Sequence, residues 1–303
     1  MPRWLRTAQS ALLGNGEKLG VLKVLLIYFV LINIVFLYLN PLLHMLSTMV
    51  KSTADLLDPT VRWIPRSIDL TFLRQAWFGI RFPETFANSM LIAGLGAIFH
   101  VVSCSVAGYG FARFRFPGRS VLFGVLIVCF LVPPATLTLP LYILFSKLGL
   151  LGSPAAIVLP ALFGHGIRGT LFVILFRQFF LTVPKAYEEA AHLDGAGPLR
   201  IFLKLMLPMA KPAIIVVFIF SFVWHWNETY LTGLFLRGEF TPLSFALDSL
   251  YQDLERMYSS GGYVNNESMK MAASFYVILP PMLLYLIVQK WFMRGVERSG
   301  IVE

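Results

Sequence analysis

The 303-residue chain is 57% hydrophobic and only 14% charged, with a mean hydropathy of +0.72; this excludes an ordinary soluble domain and marks a bilayer protein. Its net charge of +9 is dispersed, without a block of five basic residues or an aromatic-interleaved basic strand, so the excess of Lys and Arg points to retained cytoplasmic loops and away from nucleic acid. Cys104 and Cys129 lie in apolar runs at no metal-ligand or disulfide spacing, and both read as packing residues.

A helix needs roughly 18 or more largely apolar residues to cross a bilayer. Six segments meet that test, near 21–46, 85–111, 121–145, 155–180, 213–236 and 271–292, and they predict an all-α polytopic membrane protein. The first is too long for a signal-peptide core and no small-residue cleavage pattern follows it, so it is expected to remain as an anchor, kinked near Asn40-Pro41. Residues 1–20 then form an N-terminal segment, 21–293 one membrane domain and 294–303 a C-terminal tail.

Between the spans lie a basic turn at 113–119, a neutral turn at 146–154, a polar insertion at 181–212, and two long connections at 50–84 and 237–270. Arg113, Arg115 and Arg119 in the short second-to-third turn outweigh Lys147 in the third-to-fourth turn. The positive-inside rule therefore places both termini and the 181–212 insertion in the cytoplasm. The connection 237–270 carries Tyr251, Tyr258, Gly261, Gly262 and Tyr263, a composition suited to a mobile contact loop on the outer side.

The insertion is the most informative stretch. Pro184 suits a first helical position, Glu188, Glu189, Ala190 and Ala191 accept helix, and Asp194-Gly195 supplies a left-handed stop. The cycle then repeats, with Gly197 as cap, Pro198 as opener, Leu199 to Leu207 as helix and Pro208 as its end. Such a pair presents an acidic edge at Glu188 and Glu189 beside a flat Ala190-Ala191 patch, a docking shape; an amphipathic helix lying at the membrane surface is the plainer alternative.

Glu189-Ala190-Ala191, three residues, Gly195, nine residues, Leu205, one residue and Leu207-Pro208 resembles the EAA signature of permease subunits of ATP-binding-cassette importers, with Leu205 in place of isoleucine. Phe86-Ala87-Asn88-Ser89, Ala107 to Arg113, Arg177-Gln178-Phe179-Phe180, Trp226-Asn227-Glu228 and Gln289 to Gly295 resemble its carbohydrate-uptake branch, of maltose-transporter type. The resemblance implies a six-helix type I importer fold and a cytoplasmic coupling helix. It also implies contact with an ATPase through Glu188, Glu189, Ala190, Ala191, Asp194, Gly195, Leu205 and Pro208. The implied partners are a second permease, two ATPase subunits and an extracytoplasmic binding protein, in the prokaryotic inner membrane. No phosphate-binding Gly-x4-Gly-Lys-Ser/Thr loop occurs, so ATP and Mg are expected on the partner subunits, with no cofactor or metal on this chain.

Charges within a bilayer are costly and point to function. Arg168 in the fourth span and Glu228 in the fifth are expected to pair, and His165, Arg168, Trp226, Asn227, Glu228 and Tyr230 to line a cavity in which a sugar is hydrogen-bonded and stacked. An interhelix ion pair with interfacial aromatic anchors would use the same residues structurally. The competing functions are an ion-coupled secondary transporter, an importer of a non-sugar solute, and a membrane enzyme, the last disfavoured because neither Gly-x-Ser-x-Gly nor His-Glu-x-x-His is present in the spans.

Overall fold

In the computed structural model the backbone is described at residues 14–15, 18–259 and 267–300, and side chains at 20–257 and 267–291. Gly261, Gly262 and Tyr263, the side chain of Tyr258, most of the N-terminal segment, the side chains of the 294–303 tail and the last residues of that tail lie outside that description. Helices follow one another as α1 (Val21–Thr48), α2 (Thr53–Leu57), α3 (Thr71–Gly79), α4 (Phe82–Arg113), α5 (Arg119–Leu131), α6 (Pro134–Lys147), α7 (Ala155–Leu162), α8 (Gly169–Thr182), α9 (Ala186–Leu193), α10 (Pro198–Met209), α11 (Lys211–Trp226), α12 (Tyr230–Leu236), α13 (Leu243–Ser259) and α14 (Glu267–Gly300). A two-residue antiparallel pairing of Gly14–Asn15 with Lys18–Leu19 is the one departure from helix and loop among the described residues.

Three helices are long and apolar enough to cross a membrane alone: α1, α4 and, over Glu267–Trp291, α14. Three bent pairs bring the number of candidate spans to six: α5 with α6 at 99°, α8 with α9 at 75°, and α10 with α11 at 75°. The third, fourth and fifth expected spans are not single rods: they divide into α5 and α6, α7 and α8, and α11 and α12. Val132 precedes Pro133 and Pro134, where proline rings push the preceding residue out of helical geometry. Between α7 and α8, Gly164, Gly166 and Arg168 all adopt positive φ (67°, 89° and 60°), which helical hydrogen bonding cannot accommodate. Asn227 to Thr229 separate α11 from α12. By contrast α1 runs unbroken through Pro41, and α14 through Pro280 and Pro281.

The chain divides into two compact units. In the first, Met1–Ala76 with Asn265–Phe275, Ser268 Oγ donates to the Thr48 carbonyl at 2.6 Å. Its 49–70 segment is folded around two buried charges. Lys51 Nζ donates to the Val61 and Arg62 carbonyls at 3.1 and 2.7 Å, and Asp55 Oδ2 accepts from the Arg66 N–H at 3.0 Å. The Ser47 hydroxyl donates to the Trp63 carbonyl.

The second unit, Trp77–Val264 with Tyr276–Glu303, is centred on α4, which packs against α7, α8 and α11. Small residues set these approaches. A Cβ on Gly108 would meet Phe176 Cβ at 2.6 Å and the Arg177 backbone nitrogen at 2.9 Å, so α4 and α8 touch backbone to backbone there, as membrane helices do through small residues. Below Gly108 an aromatic and aliphatic core gathers Tyr109, Phe172, Phe176, Phe180, Phe202 and Met206. The 237–270 connection forms the regular helix α13 over Leu243–Ser259 where a mobile loop was expected, tied in by Asn88 Nδ2 donating to the Thr241 carbonyl at 3.1 Å and the Leu243 N–H donating to Ser89 Oγ at 2.7 Å.

Candidate functional site

The 181–212 insertion folds from its own local signals. Pro184 and Lys185 lead into α9, and Gly195 at φ 77° ends it, with the Ala196 N–H donating to the Ala191 carbonyl at 2.9 Å. A left-handed C-terminal stop of this kind favours glycine, and the Gly195 Cβ direction is open, so the backbone angle alone selects the residue. Gly197 then caps α10 in extended geometry with Pro198 in its first turn. Within α10 a π-helical stretch, Phe202–Met206, turns Phe202 and Met206 into the core. Leu205 packs half-buried against the same core, and Pro208, exposed, sits in the last turn before the bend into α11; it does not itself end the helix.

The acidic edge expected on α9 divides in two. Glu189 and Ala190 are exposed, as are Tyr187, His192 and Asp194, and Leu193 is 90% exposed. Ala191 instead packs against the core. Glu188 points inward: its Oε2 lies 3.3 Å from Arg113 Nε at the end of α4, and its Oε1 accepts from the Tyr109 hydroxyl at 3.1 Å. These two charged side chains are only 6% and 14% exposed. The Arg113 Nε is out of line for a hydrogen bond to that carboxylate, so the contact is an ion pair by proximity. Another guanidinium nitrogen, Nη2, donates to the Val183 carbonyl, one turn before α9.

The membrane cluster is only partly assembled. Arg168 and Glu228 do not pair. Arg168 caps the start of α8 and lies over the Trp224 ring at 5.7 Å, with Trp224 itself stacked on Phe172 at 5.4 Å. Glu228 Oε1 accepts from the Leu231 N–H at 2.8 Å, which caps α12. Trp226 does not line a cavity: it is 1% exposed, donates its indole N–H to the Val277 carbonyl at 3.1 Å and stacks on Phe222. Asn227 and Tyr230 are exposed. His165, also exposed, borders a cavity of about 40 Å³ lined mainly by apolar residues, well below the roughly 300–1,000 Å³ of a small-molecule site.

A buried polar network escaped sequence reasoning. His100 Nε2 bonds the His165 carbonyl at 2.8 Å, so that nitrogen carries the proton and Nδ1 accepts from the Ser221 hydroxyl at 2.8 Å. His225 Nδ1 donates to the Ser221 carbonyl at 2.8 Å. The network joins α4, α11 and the start of the break before α8, and so holds that break in place. The Ser221 and His225 pair at one helical turn, facing a lone His on another apolar helix, was its available signal.

Comparison with known proteins decides the family. Residues 104–298 match the binding-protein-dependent transport system inner membrane component, and the matched stretch contains the whole EAA segment. The chain belongs to that family. It is a multi-pass inner-membrane permease subunit of an ATP-binding-cassette importer, a transport subunit and not an enzyme, with ATP hydrolysis in separate subunits. The self-sufficient secondary transporter is thereby set aside. Among relatives, the osmoprotective compounds uptake permease protein GgtD of Synechocystis is 30% identical over 285 residues, 91% of each chain. The melibiose/raffinose/stachyose import permease protein MelC of Bacillus subtilis is 29% identical over 266 residues, 87% of this chain and 91% of that one. A solved bacterial ABC transporter involved in import of the acidic polysaccharide alginate superposes with a TM-score of 0.75 at 24% identity, over 88% of this chain and 95% of that one, and establishes the type I importer fold.

Proposed function

We propose that this permease pairs with a second, different permease chain to move a sugar or oligosaccharide from an extracytoplasmic binding protein into the cytoplasm, driven by two ATPase subunits acting on residues 181–212, with both termini cytoplasmic. The observation that carries the coupling role is α9: its outer face of Tyr187, Ala190 and Leu193 is free, while its inner face is fixed by Glu188 and Ala191. A surface helix so held suits a groove on a separate motor. Likeness to MelC across most of the chain supports a carbohydrate cargo; likeness to GgtD supports an osmoprotective solute as the second reading.

We assign the sugar pathway to Arg168, Asn227 and Tyr230. The exposed Arg168 guanidinium and Asn227 amide offer hydrogen bonds for hydroxyl edges, and the exposed Tyr230 ring offers a face for stacking. Trp226, buried, has no part in this pathway, Trp224 holds Arg168 in place, and Glu228 supports the site by capping α12. The test is ATPase activity of the purified complex with its binding protein presented empty or loaded with melibiose, raffinose or stachyose. Stimulation by a loaded sugar is expected; stimulation only by an osmoprotective solute would replace the sugar reading.

A further inference from the structure

We propose that Arg113 and Tyr109 are positioning residues that lock the coupling loop onto α4, so that force on α9 reaches α4, and through it α8 and α11, without being lost in loop motion. This rests on the coupling reading above and adds the residues that transmit the stroke.

The geometry supplies two points of grip. Arg113 holds Glu188 on α9 and, at the same time, the Val183 carbonyl ahead of α9. One contact would leave the helix free to pivot; two contacts separated by five residues fix its direction. Tyr109, one turn earlier on α4, bonds the other oxygen of Glu188 and packs its ring on Phe180 of α8 and Phe202 of α10. The lock thus joins α4, α8, α9 and α10 at one spot. Its burial is informative, because a sheltered ion pair is often no more stable than well-packed apolar residues of similar volume. A pair kept in such a place is explained by the orientation it specifies. Directly beside the lock α4 meets α8 backbone to backbone at Gly108, and farther along it meets His225 of α11 at Gly96. Rigid elements so packed have few ways to absorb a displacement.

The test uses the complete complex with its own ATPase and binding-protein partners, in a Cys129→Ser background carrying one reporter cysteine at Tyr230. Labelling by a membrane-impermeant maleimide is timed without nucleotide and after trapping with ATP and vanadate, so no transported solute is required. The unlocked protein is Arg113→Gln. It is expected to keep its ATPase subunits and their basal hydrolysis, while the nucleotide-dependent change in labelling rate falls roughly tenfold, within the range of ordinary coupling energies. Tyr109→Phe, which removes one oxygen and leaves the ion pair, shifts the ratio the same way by less and keeps the test decisive should Arg113→Gln misfold. Exchange of the charges, Arg113→Glu with Glu188→Arg, recovers part of the ratio. A full nucleotide-dependent change in Arg113→Gln, or in Tyr109→Phe where Arg113→Gln does not fold, overturns the proposal. If Glu188 instead contacts the motor directly, the exchange loses the ATPase subunits, which also overturns it. Absence of any ATPase from the wild-type complex would instead sink the coupling reading itself.

Discussion

The 181–212 loop and the 49–70 loop are built by the same device and used differently. In each, a buried cation reaches back to main-chain carbonyls: Arg113 to Val183, and Lys51 to Val61 and Arg62. In the 49–70 loop the partners are local: the Asp55 carboxylate accepts from the Arg66 N–H, and the Asp55 backbone N–H donates to Ser52 Oγ in the cap of α2. The two buried charges of that loop are thus satisfied within residues 51–66. In the 181–212 loop the cation comes from a membrane helix about 70 residues away in sequence, so breaking it detaches one element from another. The lesson is that burial alone does not reveal whether a charge stabilises a fold or connects parts of it; the sequence distance between partners does.

The comparison can be broken at either loop, with effects of different size. Glu188→Ala leaves the Arg113 guanidinium buried without its carboxylate, and the purified complex should lose about 3–5 kcal/mol of stability in denaturant melts. Lys51→Met retains the side-chain stem and orphans two carbonyls, for about 1–3 kcal/mol; hydrogen exchange should rise around residues 58–66 while nucleotide-dependent labelling at Tyr230→Cys stays unchanged. If that labelling changed, the Lys51 contacts would not be merely local. The smallest effect is expected from Asp58, whose carboxyl is held below its ordinary value of 3.8 by the Thr60 hydroxyl and N–H, with the Arg66 pair as a lesser cause. A depressed carboxyl contributes at neutral pH and loses that contribution only as the pH falls below about 3.8 and through its folded value. Asp58→Asn should therefore lower the melting temperature slightly at pH 7, and the difference from wild type should shrink as the pH falls below about 3.8.

What was legible before the structure was mostly local. Gly195, Gly197 and Pro198 announce their turns because a left-handed angle or a missing N–H is decided within a few residues. The six apolar stretches were equally plain, since length and hydropathy need no tertiary knowledge. The breaks were less so: Gly164 and Gly166 lie inside a stretch apolar enough to pass as one rod. Side-chain direction was the true gap. Trp226 and Trp224 differ by two positions, about 200° around a helix, and only packing against Phe222 and Phe172 decides which is buried and which meets Arg168. Glu188 and Glu189 are adjacent, and Glu189 is exposed while Glu188 turns inward to Arg113. The His100, Ser221 and His225 network depends on partners more than a hundred residues apart, beyond the reach of any pattern within one helix.

The central claim, that α9 is where a separate motor grips this subunit, is most directly tested by cross-linking. A cysteine at His192, exposed on α9, in the Cys129→Ser background and the native membrane, should be captured by a short bifunctional reagent in a covalent adduct with an ATPase subunit, at a yield that changes with nucleotide. Labelling of that cysteine by a reagent confined to the extracytoplasmic side, with no ATPase adduct at any linker length, would contradict the account.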